Sequence, residues 1–208
     1  MISVVIPYFG AESTIGAQLD ALARQERGPD PWEVVISDNE SSDHLRRIVR
    51  LFEDRIPEVD VADASDRRGR AHARNVGVEA AKHDAIAFCD ADDEVGEGWL
   101  SAMSRALAGH DFVACRQDFK KLNPPWAQQI FKDHPQQWGL QRTRYPPHLP
   151  FAGGGTLGLK RSVHDSVGGF DESWRVLEDK EYCLRVHLTE PNCTLSPMPS
   201  STADAGPP

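Results

Sequence analysis

The sequence has no long apolar run and no excess of basic residues. It contains no stretch of about 18 apolar residues, so we expect no transmembrane segment. The start, Met1–Pro7, has no basic region followed by an apolar stretch and a cleavage site, which points to the cytoplasm. With 23 Lys and Arg against 32 Asp and Glu, the net charge is −9, which argues against broad electrostatic capture of nucleic acid.

Cysteine is also scarce. The four cysteines, Cys89, Cys115, Cys183 and Cys193, are widely spaced and form no CxxC pair, which disfavours a zinc knuckle or a redox motif. We expect free and mostly buried thiols. Internal repeats with a period of 20–50 residues are absent as well, which excludes a solenoid.

Apolar runs and helical periods alternate along the chain, which is long enough for one domain. The alternation predicts an open mixed, mostly parallel sheet flanked by helices, an α/β fold that binds ligands beyond the carboxyl ends of its strands. A nucleotide-binding half is expected over about 1–115, an acceptor-side half over about 116–188, and a disordered tail over 189–208. The predicted strands are 2–6, 32–36, 59–64, 85–89, 112–115 and 156–159, and the predicted helices are 11–27, 44–55, 70–82, 99–108 and 176–188.

The segment 121–150 differs from the rest of the chain because it is rich in Pro, Gln, Trp and His. Its prolines predict a loop-rich flap without a long regular element. Trp126, Trp138 and Tyr145 are able to stack on a sugar ring, although aromatic residues in loops also serve simply to anchor the loop.

Three carboxylates, Asp90, Asp92 and Asp93, follow directly after the predicted strand 85–89. Crowded carboxylates repel one another unless a cation is present, and hard oxygen ligands suit Mg²⁺ or Mn²⁺. Such an ion bridges a diphosphate that an acidic protein does not otherwise attract. A solvated turn that caps a helix is the alternative, but the position after a buried strand favours the metal site.

Asp38 follows the second predicted strand and is expected at the same edge of the sheet as the acidic cluster. Its carboxylate is suited to accept a hydrogen bond from a base or a ribose. The alternative is that Asp38, Ser41, Ser42 and Asp43 only form turns and cap the following helix.

Two further charged groups are candidates for binding or chemistry. Arg74 lies on a helix that opens with the basic stretch 67–70, which either holds a nucleotide or is solvated surface. Glu178 and Asp179 begin the last predicted helix, and either carboxylate is suited to deprotonate an acceptor hydroxyl. Acidic residues also favour helix N-termini through the helix dipole, so a purely structural role stays open.

Five motifs follow one another along the chain. They are Val4-Val5-Ile6-Pro7-Tyr8; Val35 to Asp43; Ala73-Arg74-Asn75-Val76-Gly77; Ile86 to Asp93; and Gly168-Gly169-Phe170-Asp171-Glu172 followed by Glu178-Asp179. In this order they resemble family 2 glycosyltransferases, which are inverting enzymes of the GT-A fold, with Glu40 in place of the usual glycine of the second motif. The similarity runs over about residues 1–188.

The resemblance implies a metal-dependent transfer from a UDP-, GDP- or dTDP-sugar to a carbohydrate, lipid-linked or small-molecule acceptor. It implies Asp179 as the catalytic base, Glu178 as a support for the base or the acceptor, and Gly154 as part of the acceptor pocket. It implies that Asp92 holds Mn²⁺ or Mg²⁺. The nucleotide-binding residues would be Pro7, Tyr8, Asp38, Arg74, Asp90 and Ala91.

One departure from the family pattern leaves a second function open. Family members continue past the Glu178-Asp179 helix through a further strand and a histidine on the metal side, and we find no counterpart in the sequence from Thr194 to Pro199. His187 lies too early, within the predicted helix. The alternative is therefore a catalytically impaired protein that binds nucleotide-sugars without transferring the sugar.

Overall fold

The computed structural model describes residues 1–26, 31–39, 43–190 and 195–197. The strands are β1 Ile2–Tyr8, β2 Trp32–Asp38, β3 Val59–Asp63, β4 Ala85–Phe88, β5 Phe112–Ala114, β6 Gln141–Arg142, β7 Pro150–Phe151, β8 Leu157–Lys160 and β9 Ser196–Pro197. Four parallel pairings and two antiparallel ones build the main sheet, whose strand order is β3-β2-β1-β4-β8-β5-β9. The helices are α1 Ile15–Ala23, α2 Asp43–Arg50, α3 Arg70–Ala80, α4 Trp99–Gly109, α5 Pro125–Phe131, α6 Arg161–Val167 and α7 Glu178–Thr189.

The predicted single-domain α/β fold with a mixed, mostly parallel sheet is confirmed. Strands β1 to β4 run parallel, and β8 is inserted antiparallel between β4 and β5. Gly158 allows helix α4 to pack closely against β8, since a Cβ there would lie 2.6 Å from the Met103 sulfur and 2.9 Å from Val113. A side chain at this position would therefore push the helix off the sheet.

Both faces of the sheet are covered, as an apolar central strand requires. Along β1, Val4 and Ile6 join the core on the side of α1, α2 and α4, whereas Val5 joins the core on the side of α3, α6 and α7. The alternation follows from the period of two along a strand. The carboxyl ends of β1, β2 and β4 are left at one edge, where the acidic residues lie.

The segment 121–150 contains more regular structure than the sequence predicts. Helix α5 occupies 125–131, a 3₁₀ turn covers 135–137, and β6 pairs with β7 in a separate two-stranded sheet. Helix α6 was missed altogether; it ends at Gly168, whose φ of 75° lies in the left-handed region that glycine tolerates.

The observed boundaries of several elements differ from the predicted ones by a few residues. Helix α1 begins at Ile15 and helix α2 ends at Arg50, so both are shorter than predicted. Most of the predicted disordered tail, 189–208, lies outside the described residues; its described part contains the last residue of α7 and the strand β9, which pairs with β5. No helix in the described ranges combines the length and the apolar character needed to span a bilayer.

Candidate active site

The carboxyl edge of the sheet brings Tyr8, Asp38 and Asp90 to one side of the molecule. Tyr8 and Asp38 are partners in the β1–β2 register, and Asp90 follows the end of the neighbouring strand β4 by two residues. Pro7 pairs with Ser37 one step earlier in the same register. Tyr8 and Asp38 are both buried, whereas the Asp90 side chain is 37% exposed. The predicted nucleotide-binding residues of the three strands therefore share one edge.

Asn39 fixes the loop that enters helix α3. Its amide nitrogen donates to the carbonyls of Ala64 and Arg67, the second at 2.7 Å, and its Oδ1 accepts from the Gly69 N–H at 2.8 Å. Its backbone N–H donates to the Tyr8 carbonyl at 2.9 Å. The loop 64–69 is thus held beside the ends of β1 and β2.

Arg74 joins Asp90 at the carboxyl edge of the sheet to the start of helix α7. Its Nη1 donates to Glu178 Oε1 at 2.8 Å and its Nη2 to Asp90 Oδ1 at 3.2 Å. Burial alone would lower the pKa of Arg74, but the carboxylates of Asp90 and Glu178 outweigh it, so the pKa is raised. The side chain is 3% exposed and its guanidinium lies 5.5 Å from the centre of the Phe170 ring.

Two glycines press against this ion pair. A Cβ at Gly154 would lie 2.5 Å from Arg74 Cζ and Nη2, and a Cβ at Gly155 would lie 2.5 Å from the Asp90 carboxylate. Asp179 completes the arrangement, since its Oδ2 accepts from the Gly154 N–H at 3.0 Å and its Oδ1 accepts from the Lys180 N–H at 2.7 Å. The glycine segment, Gly153 to Gly155, therefore lies between Arg74, Asp90 and Asp179 with no room for side chains on its last two residues.

These contacts bear on the sequence-based assignments. Arg74, Asp90, Glu178, Asp179 and Gly154 form one connected group, although up to 104 residues separate hydrogen-bonded partners. Glu178 is 2% exposed and is engaged by Arg74, whereas Asp179 is only partly buried. Of the two carboxylates, Asp179 is therefore the more accessible, and Arg74 is a buried cation rather than an exposed one.

The acidic cluster does not form a closed cage. Ala91 is buried, Asp92 is exposed, and Asp93 is partly buried. Burial, together with the charges of Asp90 and Asp92, raises the pKa of Asp93 to about 7. Crowded negative charge and hard oxygen donors fit a divalent cation held by a carboxylate of the protein, with further ligands from a bound phosphate.

A second acidic group lies at the opposite edge of the sheet. Within the described ranges, one set of three ligand atoms lies within 4.8 Å of one another, on Glu33, Glu58 and Asp60. The Lys82 ammonium sits among them, 3.2 Å from Asp60 and 3.7 Å from Glu33, and also pairs with Glu58. A lysine therefore already supplies the positive charge there.

A cleft of about 450 Å³ opens beside the acidic cluster. Asp93, Trp99 and Gly155 line its inner part, and residues of the 116–138 segment line its outer part. Gln136, which is 1% exposed, supports this wall: it donates to Thr156 Oγ1 at 2.6 Å, and its Oε1 accepts from the Gly153 N–H at 3.0 Å. The cleft is of a size that accommodates a small ligand.

Sequence reasoning missed two residues that hold the site together. Gln136 carried no signal in a segment predicted to be a loop. Asn75 was quoted only as part of a motif, yet its Nδ2 donates to the Phe170 carbonyl at 2.9 Å and to Glu172 at 3.1 Å, and its Oδ1 accepts from the Phe170 N–H at 2.8 Å. Both bonds to the Phe170 backbone tie the segment before helix α7 to helix α3.

Comparison with known proteins gives relatives that match nearly the whole chain, among them a glucosyltransferase from Streptomyces. The chain is 28% identical to validoxylamine A glucosyltransferase of Streptomyces hygroscopicus subsp. limoneus over 216 residues, covering 90% of this chain and 48% of the relative. The chain thus spans about half the length of this curated relative.

Solved structures share the fold. TarS of S. aureus in complex with UDP-GlcNAc superposes with a TM-score of 0.71 at 21% identity, covering 97% of this chain and 56% of that one. The mannosyltransferase PcManGT of Pyrobaculum calidifontis in complex with GDP-Man and Mn²⁺ superposes with a TM-score of 0.68 at 19% identity, covering 96% and 55%. These likenesses show the GT-A fold.

The family model described as glycosyl transferase family 2 matches residues 3–168. That range includes strands β1, β2, β4 and β8, helix α3 and the glycine segment, and so most of the candidate site. The chain therefore belongs to the family 2 glycosyltransferases.

Proposed function

We propose that the protein transfers a sugar from a nucleotide-sugar donor to an acceptor hydroxyl, with inversion at the anomeric carbon. The observation that carries the proposal is the connection from Asp90 through Arg74 to Glu178, with Asp179 bonded to Gly154 beside it. A donor-side carboxylate and a partly buried candidate base are thereby held in fixed relation. Fixed relative positions of reactants are a large source of rate acceleration in displacement reactions.

The donor nucleotide would bind at the carboxyl edge of β1, β2 and β4. Asp38 would accept hydrogen bonds from the base, next to Pro7 and Tyr8, and Asp90 and Ala91 would border the ribose and diphosphate. Arg74 would act on the nucleotide through Asp90, because its own guanidinium is buried. The UDP-GlcNAc and GDP-Man named for TarS and PcManGT support a UDP- or GDP-sugar donor, with a dTDP-sugar as the further possibility.

Asp92 would hold a divalent ion, Mn²⁺ or Mg²⁺, beside the diphosphate. A bound ion of this kind would neutralise the negative charge that develops on the leaving diphosphate. Asp92 suits this role because its side chain is exposed and its oxygen ligands are hard. The Mn²⁺ named for PcManGT supports this reading.

Asp179 would take the proton of the acceptor hydroxyl as that oxygen attacks the anomeric carbon. The bond from the sugar to the diphosphate breaks in the same in-line displacement, which inverts the configuration. Glu178 would help to position Asp179, its neighbour in the chain, because its own carboxylate is fixed by the bond from Arg74. Gly154 would border the acceptor. A carboxylate is a competent general base when it lies within hydrogen-bond reach of the hydroxyl.

The acceptor would enter the 450 Å³ cleft beside Asp93 and Trp99. The Streptomyces relative is named for validoxylamine A, and a relative from Escherichia coli, 32% identical over 93 residues, is named for a diphosphoundecaprenol-linked sugar. A carbohydrate, a lipid-linked sugar or another hydroxylated small molecule would therefore fit the class. A cytoplasmic location and a lack of nucleic-acid partners stay predictions.

The proposal is tested by incubating the chain with UDP- and GDP-sugars and Mn²⁺ and measuring release of the nucleoside diphosphate, with and without glycoside acceptors. Asp179→Asn should abolish turnover but keep nucleotide binding, whereas Asp54→Asn, an exposed control, should leave both unchanged. Nucleotide binding without turnover by the unmodified chain would instead identify an impaired binding protein. Turnover that survives in Asp179→Asn would remove that residue from the role of base.

A further inference from the structure

Residues 116–148, which include helix α5 and the outer wall of the cleft, carry several exposed apolar side chains. Of the large hydrophobic side chains classed as exposed in the described ranges, five fall between residues 122 and 145. Trp126 and Ile130 are 69% and 67% exposed and lie four residues apart on α5, so they share one side of that helix. The neighbouring Ala127 is buried, so α5 packs on the domain through the side that carries Ala127, while Trp126 and Ile130 stay exposed.

Two further exposed apolar side chains of this segment lie at the cleft. Leu122 and Trp138 both line the cleft while remaining exposed at their outer ends. Lys120 joins this rim to the helix, because its carbonyl accepts a hydrogen bond from Gln128 of α5 at 2.9 Å. We call the residues Leu122, Trp126, Ile130 and Trp138 the α5 face. Several large apolar side chains exposed in one short segment are typical of an interaction site.

The net charge of residues 116–148 is opposite in sign to that of the whole chain. Residues 116–148 contain six Lys and Arg and two Asp, a net charge of +4, in a chain whose total is −9. Within the part of the chain that the structure describes, Lys121 pairs with Glu94, whereas Lys120 and Lys132 make no ion pair. Both are exposed, and Lys120 and Lys132 line one shallow depression on the side of α5. Two unpaired cations thus lie in the same segment as the α5 face, next to the side of the helix that carries Gln128 and Gln129.

We propose that the α5 face docks on an anionic lipid surface. Tryptophan is favoured at the boundary between water and acyl chains, where its apolar ring is buried and its polar N–H stays wet. Basic side chains of the same segment gain from the negative potential of anionic headgroups, and the net charge of +4 over residues 116–148 has the sign that such a surface attracts. A neutral saccharide on the aromatic rings would not account for the unpaired lysines.

The docked orientation has a consequence for the cleft. Leu122 and Trp138 belong both to the α5 face and to the cleft wall, so docking would turn the mouth of the cleft toward the headgroups. An acceptor that is itself anchored in the lipid would reach the acidic cluster from that side. This consequence rests on the proposed function, whereas the docking itself does not.

Vesicle co-sedimentation tests the docking independently of catalysis. The full chain should bind vesicles of phosphatidylcholine mixed with phosphatidylglycerol, bind phosphatidylcholine vesicles weakly, and lose binding as salt rises. Trp126→Ala/Ile130→Ala should lower the vesicle partition coefficient about tenfold or more. Lys120→Glu/Lys132→Glu should remove the preference for the anionic vesicles.

The matched control is Leu51→Ala/Leu188→Ala, which removes two comparably exposed apolar side chains elsewhere and should change nothing. Circular dichroism of each variant checks that it is folded. Equal sedimentation of the chain and the Trp126→Ala/Ile130→Ala variant would overturn the proposal, as would absence of binding to the anionic vesicles. A dimer that Trp126→Ala/Ile130→Ala dissociates, with no vesicle binding, would assign the face to a second copy of the chain.

Discussion

Replacing Gly154 by alanine tests the connection between Arg74 and the start of helix α7. The new Cβ would lie 2.5 Å from Arg74 Cζ and Nη2, where ordinary contacts begin at 3.4 Å. The guanidinium must therefore retreat by roughly 1 Å, which lengthens its 2.8 Å bond to Glu178 beyond hydrogen-bond range. The backbone N–H of residue 154, which donates a hydrogen bond to the Asp179 carboxylate, is displaced as well.

The size of the effect follows from two costs. Overpacking costs about 1–3 kcal/mol, and weakening a charged hydrogen bond in a buried setting costs about 1.5–3 kcal/mol. Because part of the strain is shared, we expect Gly154→Ala to lower the free energy of unfolding by about 2–4 kcal/mol. A shift of about 1 Å at a positioned base lowers turnover by about a hundredfold.

Gly153→Ala is the matched control one residue earlier. Its Cβ would meet only Gln136 Oε1 at 3.7 Å and Asp179 Oδ2 at 4.0 Å, which are ordinary contacts. Gly153 has a φ of −66°, so alanine is tolerated and should be neutral or slightly stabilising. Urea denaturation and donor turnover of both variants provide the comparison. Equal stability and equal turnover of the two variants would refute the reasoning.

Three further outcomes test other parts of the structure. Arg74→Met should lower the free energy of unfolding by about 3–5 kcal/mol, because it leaves the buried Glu178 carboxylate without its positive partner. The double variant Arg74→Met/Glu178→Met should regain part of that stability in urea denaturation. Asn75→Asp should cost about 1–3 kcal/mol, since a carboxylate replaces the donor to Glu172; a melting temperature equal to that of the unmodified chain would contradict this. Burial lowers the pKa of His164 from 6.5 to about 4, so on acidification the unfolded chain binds this proton at a higher pH than the folded chain. The free energy of unfolding should therefore fall by up to about 3 kcal/mol as the pH falls from about 6.5 to 4. His164→Gln should flatten that part of the stability curve, and an unchanged acid limb would exclude His164 as its source.

The sheet could be predicted from the sequence because each central strand is a short apolar run. Val4 to Ile6 and Trp32 to Ile36 are buried on both sides, so no other element suits them. Helix α5 was not predicted, because Pro124 and Pro125 were read only as helix breakers. Pro125 instead occupies the first turn, where the missing N–H costs nothing and the fixed φ favours a helix start.

The site could be predicted only in its local parts. The positions of Asp38 and Asp90 follow from parallel strands that end at one edge. The burial of Arg74 and its bond to Glu178 depend on a contact between residues 104 apart, which no local pattern encodes. The close approach of Gly154 to that guanidinium depends on the same tertiary packing, so the chemical roles of these residues stay predictions until they are measured.

Isothermal titration of UDP and GDP, with and without Mn²⁺, tests the central claim most directly. The chain should bind one of these nucleotides with a heat that requires the metal, because the acidic edge would otherwise repel the diphosphate. Asp92→Asn should lose this binding while remaining folded, and Asp54→Asn should retain it. Absence of metal-dependent binding in the unmodified chain, or undiminished binding in Asp92→Asn, would contradict the proposed donor site.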